Sequence, residues 1–435
     1  MAKRHSNRIG NWESLFLRLE ELVLANSGED EFEEVFKLLV AKLWDERTGR
    51  DRFRRYVEDA ATFRRIETLL READKAWPGI LDSVAPGLLP EHLAVCVEAL
   101  ARHTISDAGF EVVDGLFEFL VAKGSKGAKG QYFTPRHVIE FCVRMLKPTV
   151  AETVLDPACG SGGFLIHALN YVREGGELRT EAAIRDYCTS KLWGFDVDPR
   201  AVRVAKALMV LAGDGSSNII RLNSLLQPDM GGLFPIAGSG KEGCLLTIED
   251  VCRGRIRRHK GFDVILTNPP FAGEVRERSV LDEYALGRGR ERVERDVLFL
   301  ERCIGLLRPG GRMAIVLPHN KFAVDTWDYA RNWLMRKARV LAVVGLGRNT
   351  FLPHTHQKAS VLFVQRREEG DAPSPEQKVF FAVSERDGKN SKGELVLRAG
   401  VAGCLSPWRK IDHDLDDVVK AFDEFRRAEQ ASIEV

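Results

Sequence analysis

Upstream of residue 123 the apolar side chains recur at helical spacing. Beyond residue 131 the pattern changes to short β-branched runs separated by helical stretches. Phe32, Val35, Phe36, Leu39, Val40 and Leu43 fall on one face of a 3.6-residue period. The same spacing predicts helices through most of 11–121. These are an amphipathic stretch at Trp12–Leu24, a highly charged one at Asp51–Ala76, and two more at Glu91–His103 and Phe110–Lys123. Pro78 to Pro90, with Gly79 and Gly87 between them, reads as a break. Gly124-Ser-Lys-Gly-Ala-Lys-Gly130 reads as a basic connector and the main domain boundary. The expected organisation is a helical domain at 1–123, a linker at 124–130, an α/β domain at 131–367 and a C-terminal extension at 368–435.

Candidate strands lie at 153–156, 191–196, 218–222, 262–267, 312–317, 340–346 and 360–366. Strands alternating with helices predict a mostly parallel sheet with crossovers. Residues 171–190 extend the first crossover helix or add a short one. A long insertion occupies 228–260 and ends in a basic run, Arg253 to Lys260, which reads as a solvated face or as a phosphate contact. Residues 272–296, with alternating Arg and Glu, read as a mobile loop. After residue 367 the pattern leaves a strand at Val379–Ser384 and an amphipathic helix near Leu415–Arg427.

Three strand ends carry the chemistry. The run Val-Ile-Leu-Thr ends in Asn268-Pro269-Pro270-Phe271. It is either a strand-ending turn or a site for an amino group on a flat ring. Asn268 offers a carbonyl acceptor, the prolines leave backbone carbonyls without ladder partners, and Phe271 offers an exposed aromatic face. Upstream, Thr153-Val-Leu-Asp156 passes through Gly160-Ser161-Gly162-Gly163 into helical spacing from Phe164. A glycine-rich strand–helix turn serves many nucleotide-binding domains. Here no phosphate-cradling lysine follows the glycines, and Asp156 would repel a pyrophosphate but attract an amino-acid ammonium. That favours S-adenosyl-L-methionine over a dinucleotide. The third strand ends in Gly194-Phe195-Asp196, where a carboxylate can accept from both ribose hydroxyls. Asp198, followed by Pro199, reads as the start of the next helix.

These motifs, together with Gly130-Gln131-Tyr132-Phe133-Thr134-Pro135-Arg136, Leu317-Pro318-His319-Asn320 and Asn349 to Pro353, resemble the amino-group DNA methyltransferases. The likeness is to the modification (methylase) subunit of type I restriction-modification systems, an N6-adenine DNA methyltransferase family, and covers roughly residues 30–367. It implies a seven-stranded, Rossmann-like S-adenosylmethionine-dependent methyltransferase sheet with its last strand antiparallel. The short 349–358 connection suits that arrangement. It also implies that Gln131 to Arg136 and the glycine turn bind the methyl donor, and that Asn268 to Phe271 hold the target base. Asn223 stands where the family commonly has an acidic residue contacting the donor's adenine.

The expected reaction is methyl transfer to N6 of an adenine in double-stranded DNA. The target atom is unreachable inside a duplex, so the base must be flipped out. Methylation of a protein glutamine amide, or of cytosine N4, is the alternative within the same chemistry. His319 and Asn320 sit at a strand end on the ligand side, and Arg348, Asn349 and Thr350 touch DNA or brace their loop. His354 and His356 have no third ligand nearby, and the reaction needs no metal.

Formal net charge is +1, so a DNA-binding surface must be local or supplied by a partner. The eight cysteines are scattered, without a Cys-x-x-Cys pair, which fits a reducing cytoplasm. No apolar run reaches the ~18 residues that cross a bilayer. The stretch after residue 367 is short for a DNA-reading domain. A separate specificity subunit is therefore expected, with two copies of this chain and an optional restriction subunit.

Overall fold

The computed structural model describes residues 27–105, 133–213, 218–226, 261–398 and 410–433. The chain divides into two compact units, Met1–Gly127 with Arg203–Ser217, and Ala128–Val202 with Asn218–Val435.

In the first unit, α1 (Glu31–Thr48) begins at Asp30, whose carboxylate accepts from Glu33 N–H at 3.2 Å. It ends at Gly49, which takes the left-handed conformation that closes a helix. The six periodic apolar positions from Phe32 to Leu43 are all buried. So is Glu34, which the apolar period does not explain. Its carboxylate accepts from Lys37 Nζ at 2.7 Å and from the N–H groups of Gly87 and Leu88 at 3.0 and 3.4 Å. The Pro78–Pro90 break is thus tied to α1 by one buried carboxylate. α2 (Asp59–Ala76) buries Thr62, Ile66, Leu69, Leu70 and Ala73, a single stripe inside its charged sequence. α3 (Pro90–Ala101) starts with proline, which lacks the N–H that a first turn leaves unpaired. The expected helices at Trp12–Leu24 and Phe110–Lys123, and the 124–130 connector, lie outside the described residues.

The second unit is α/β. In chain order its elements open with α4 (Arg136–Leu146), β1 (Val154–Asp156), α5 (Gly163–Glu174), α6 (Glu181–Lys191), β2 (Leu192–Asp196) and α7 (Pro199–Ala212), the last continuing into the first unit. Then come β3 (Ile219–Arg221), β4 (Phe262–Thr267), β5 (Glu274–Val275), α8 (Arg278–Leu281), β6 (Val293–Glu294), α9 (Arg295–Leu306) and β7 (Leu307–Pro318). The chain closes with α10 (Asn320–Ala323), α11 (Asp328–Lys337), β8 (Ala338–Gly345), β9 (Ala359–Arg366), β10 (Phe380–Val383) and α12 (Leu415–Ile433).

The central sheet runs β10-β8-β9-β7-β4-β1-β2-β3. Seven of its strands come from the seven expected runs, and β9 is antiparallel to both neighbours as the short connection implied. The count differs from the seven-stranded expectation. An eighth strand, β10, adds in parallel along β8. It is held there because Phe380 packs on Phe422 and Phe425 of α12, with ring centroids 5.5 and 5.6 Å apart.

Residues 272–296 depart from the mobile loop expected of them. β5 and β6 pair as an antiparallel ribbon. Between them Val280, Leu281, Tyr284 and Leu286 are buried in the apolar cluster that includes Trp193 and Phe195 of β2. The alternating charges mask these anchors, which are spaced too irregularly to register as a period. The insertion at 228–260, with its basic run, lies outside the described residues.

Candidate active site

The order of the sheet decides what meets what. β1 lies between β2 and β4, parallel to both, with Val154 opposite Leu192 on one side and Val264 on the other. Three neighbouring strands therefore deliver their carboxyl ends to one rim: Asp156 from β1, Asp196 from β2, and Thr267 followed by Asn268 from β4. That rim is where open α/β sheets bind ligands.

A cavity opens there, lined by Phe133, Thr134, Arg136, Ile139, Asp156, Ala158, Cys159, Gly160, Ser161, Gly163, Phe164 and Asn268. Gly160 and Gly162 have φ of +51° and +86°, a conformation in which a side chain would be strained. Gly163 opens α5. A Cβ added there would overlap Arg136 Nη1 and lie 2.9 Å from Ile139 Cδ1. The missing side chain is what lets Arg136 lie over the first turn of that helix.

Asn268 donates from Nδ2 to Thr134 Oγ1 at 2.9 Å. This bond joins two segments 134 residues apart, and it places the Asn-Pro-Pro-Phe motif and the segment preceding α4 on the same cavity. Pro269 is buried and Pro270 half-buried. Pro135 is the last residue before α4. Gln131 and Tyr132 lie outside the described residues.

Asp156 is fully buried. Its Oδ1 accepts from Thr267 Oγ1 at 2.8 Å and from Ala158 N–H at 3.1 Å. Burial pushes its carboxyl up to about 7, opposed by those two bonds and assisted by the nearby charge of Asp196. Asp196 is also pushed upward by burial, while Gly160 and Asp198 donate their N–H groups to its two oxygens at 2.9 Å each. The carboxylate thus ties β2 to the glycine turn. Asp198 Oδ1 accepts from Arg200 N–H at 2.8 Å at the start of α7. The Cys159 thiol, inside the turn, is held protonated by burial and by both carboxylates. Asn223 accepts from Leu225 N–H at 3.1 Å, forming a tight turn at the end of β3.

Phe271 departs from expectation. It is not an exposed ring but is buried, and it stands edge-on to Phe351 with centroids 5.8 Å apart. Phe351 comes from the 346–358 connection, whose Asn349 N–H is held by Asp387 Oδ2 at 3.0 Å. His354 of the same connection lies near Phe133, 6.5 Å between centroids. His319 bonds through Nδ1 with Ser360 Oγ at 2.8 Å, and Asn320 is exposed.

Several residues at the site are not marked by the sequence pattern. By its pattern Thr267 is only the end of a strand, although a hydroxyl closing an apolar run is a signal in itself. Tyr284 and Arg302 carry no local signal of a role. Tyr284 donates its hydroxyl to Leu225 O at 2.6 Å, and Arg302 donates to Ser224 O and Leu226 O at 2.9 and 3.1 Å. The turn after Asn223 is therefore braced by the segment that follows the Asn-Pro-Pro-Phe motif. No local pattern announces that link.

A family model described as N-6 DNA Methylase matches residues 110–402. The type I restriction enzyme EcoKI methylase subunit of Escherichia coli (strain K12) is 28% identical over 267 residues, 60% of this chain and 45% of that protein. The type II restriction enzyme and methyltransferase RM.BcgI of Heyndrickxia coagulans is 26% identical over 267 residues, 60% of this chain and 36% of that protein. The chain thus spans less than half the length of these curated relatives. Among solved structures, the type I restriction-modification system methyltransferase subunit from Streptococcus thermophilus has a TM-score of 0.62 at 14% identity, covering 96% of this chain and 93% of that one. At that identity the likeness is one of fold.

Proposed function

Since this chain belongs to the N-6 DNA methylase family, we propose that it transfers a methyl group from S-adenosyl-L-methionine to N6 of a flipped-out adenine in double-stranded DNA. The observation that carries this reading is the bond from Asn268 to Thr134, on a cavity that Asp156 and the glycine turn also line.

The residues present suit the methyl donor. Asp156 and Asp196 make that rim acidic, which favours an ammonium and disfavours a phosphate. Gly160 to Gly163 let a ligand approach backbone N–H groups at the start of α5. Asp156 would hold the amino-acid ammonium, Asp196 the ribose, and the turn at Asn223 the adenine. Phe133, Thr134, Pro135, Arg136 and Ser161 would wall the methionine end, with Gln131 and Tyr132 preceding them. When bound, S-adenosylmethionine supplies a methyl group already activated by its sulfonium.

The chain's own contribution is positioning and electrostatic alignment. The adenine amino nitrogen is a poor nucleophile because its lone pair is delocalised into the ring. Asn268 Oδ1 and the Pro269 carbonyl would accept its two N–H bonds, which favours a pyramidal nitrogen. Neither group is a strong base, so the proton leaves after the methyl is attached. Pro270 holds the turn that aims both acceptors. Phe271, packed edge-on against Phe351, serves as a wall of the base pocket rather than as an open platform.

The relatives' names describe methylase subunits of type I restriction enzymes. We therefore place this chain as a modification subunit in the cytoplasm, reading its target through a separate specificity subunit. Two copies of the chain would serve one such subunit, with a restriction subunit optional. Among the described residues no helix is long and apolar enough to cross a membrane.

The test is to incubate the protein, alone and with a neighbouring specificity protein, with methyl-labelled S-adenosylmethionine and DNA, RNA or protein acceptors. Digested DNA should yield labelled N6-methyladenine. Label recovered only as N4-methylcytosine, or only in glutamine, would overturn the assignment in favour of those alternatives.

A further inference from the structure

We propose that Thr267 is a positioning residue for the methyl donor, because its hydroxyl holds Oδ1 of Asp156 and so presents the other carboxylate oxygen to the ligand. This rests on reading the cavity as the S-adenosylmethionine site.

Thr267 is the last residue of β4 and is fully buried. Its hydroxyl has one proton, and that proton is directed to Asp156 Oδ1 at 2.8 Å. Ala158 N–H converges on the same oxygen at 3.1 Å. Both donors therefore fall on one oxygen, and Oδ2 makes no hydrogen bond among the described residues. A carboxylate clamped by one oxygen cannot rotate freely, and its second oxygen keeps a single direction. Asp156 lines the cavity, so the direction that matters is toward the ligand. Hydrogen bonds to a carboxylate also favour its charged form, which is the form an ammonium needs.

The position in the chain gives the bond its consequence. Thr267 is bonded covalently to Asn268, the residue read as holding the target amino group. A single peptide unit thus links the carboxylate proposed for the donor to the amide proposed for the acceptor. β1 and β4 are adjacent and parallel, which keeps the two side chains at hydrogen-bonding distance. The titratable groups facing Asp156 are Asp196 at the end of β2, Cys159 in the glycine turn and Cys303 on α9. Both thiols are pushed up by burial and stay neutral near pH 7. Arg136 lines the same cavity from α4.

The experiment measures S-adenosylmethionine binding by calorimetry between pH 6 and 9 for the unaltered chain, T267V, T267S and D156N, with thermal melts alongside. T267V keeps the shape of threonine and removes the donor. At pH 7 its dissociation constant should rise about fivefold, because the unclamped carboxyl holds its proton more tightly and is ionised less often there. The gap should narrow toward pH 9, where the carboxylate ionises without help. T267S should restore binding, and in turnover T267V should raise KM for the donor more than it lowers kcat. If T267V does not fold, T267A gives the same comparison with a smaller side chain. Binding by T267V equal to that of the unaltered chain, with D156N crippled, would overturn the role of Thr267 alone. So would a deficit that is independent of pH and not rescued by serine. If the unaltered chain binds no donor, or D156N binds it undiminished, the reading of the cavity fails and this inference falls with it.

Discussion

Asn268 Nδ2 donates to Thr134 Oγ1 across 2.9 Å, so the amide of the Asn-Pro-Pro-Phe turn is oriented by the segment that leads into α4. One hydrogen bond between uncharged groups contributes on the order of 1 kcal/mol, enough to select one amide rotamer over its flip. Replacing Asn268 with alanine should lower kcat by about two to three orders of magnitude, as loss of a positioned polar group at a reacting centre does. Binding of S-adenosylmethionine should change much less. Thr134→Val should give a smaller loss in kcat of about fivefold. Single-turnover methylation and calorimetry on the same preparations check both outcomes.

Gly163→Ala tests the approach of Arg136 to the glycine turn. The added methyl meets Arg136 Nη1 and Ile139 Cδ1 well inside contact distance. Crowding of this kind costs about 1–3 kcal/mol. The guanidinium, at the end of a flexible side chain, should yield first. Affinity for the methyl donor should therefore fall while the melting temperature drops only slightly. A large drop in melting temperature with affinity preserved would place the strain in the α4–α5 packing instead.

The raised Asp156 carboxyl predicts two opposite responses to pH. Burial moves it from an ordinary 3.8 to about 7, so the folded chain holds this proton more tightly than the unfolded chain does. The stability it contributes is present at low pH and is lost as pH rises through about 7. Without ligand, the melting temperature should decline relative to Asp156→Asn between about pH 5 and 7 and level off above that. Asp296, raised to about 6 by burial, adds a decline of the same sign in both proteins and cancels in the comparison. Affinity for S-adenosylmethionine should run the other way and increase through the same range, because the ammonium needs the ionised carboxylate.

Tyr284→Phe removes the hydroxyl that holds Leu225 O at 2.6 Å. A buried carbonyl that loses its donor costs about 1–3 kcal/mol. The turn after Asn223 should loosen, raising KM for the methyl donor by severalfold with a smaller change in KM for DNA. Steady-state kinetics with each substrate varied in turn separates the two. Equal changes in both constants would mean that the 272–296 segment acts on the base side of the site.

Glu34→Ala addresses the helical unit. It strips Lys37 Nζ and the N–H groups of Gly87 and Leu88 of a buried acceptor. Breaking a buried pair typically costs about 3–5 kcal/mol. Chemical denaturation should show the midpoint of the helical unit shifted well below that of the unaltered chain. Glu34→Gln, which can still accept from both N–H groups, should recover part of the loss.

What the sequence determined by itself was the set of parts. Continuous apolar runs and period-3.6 patterns are local, so the seven core strands and α1 to α3 were legible from residues such as Val264 to Leu266 and Phe32 to Leu43. Strand ends carrying Asp156, Asp196 and Asn268 were legible too, because a polar residue closing an apolar run is a signal within a few positions. Tertiary structure decided which parts meet. The bond from Asn268 to Thr134, the clamp of Thr267 on Asp156, the brace of Tyr284 on Leu225 and the burial of Phe271 against Phe351 all join residues far apart in sequence. Only the order of strands in the sheet brings them within reach. A hydrogen bond of 3 Å depends on both ends being placed, and neither end by itself names its partner.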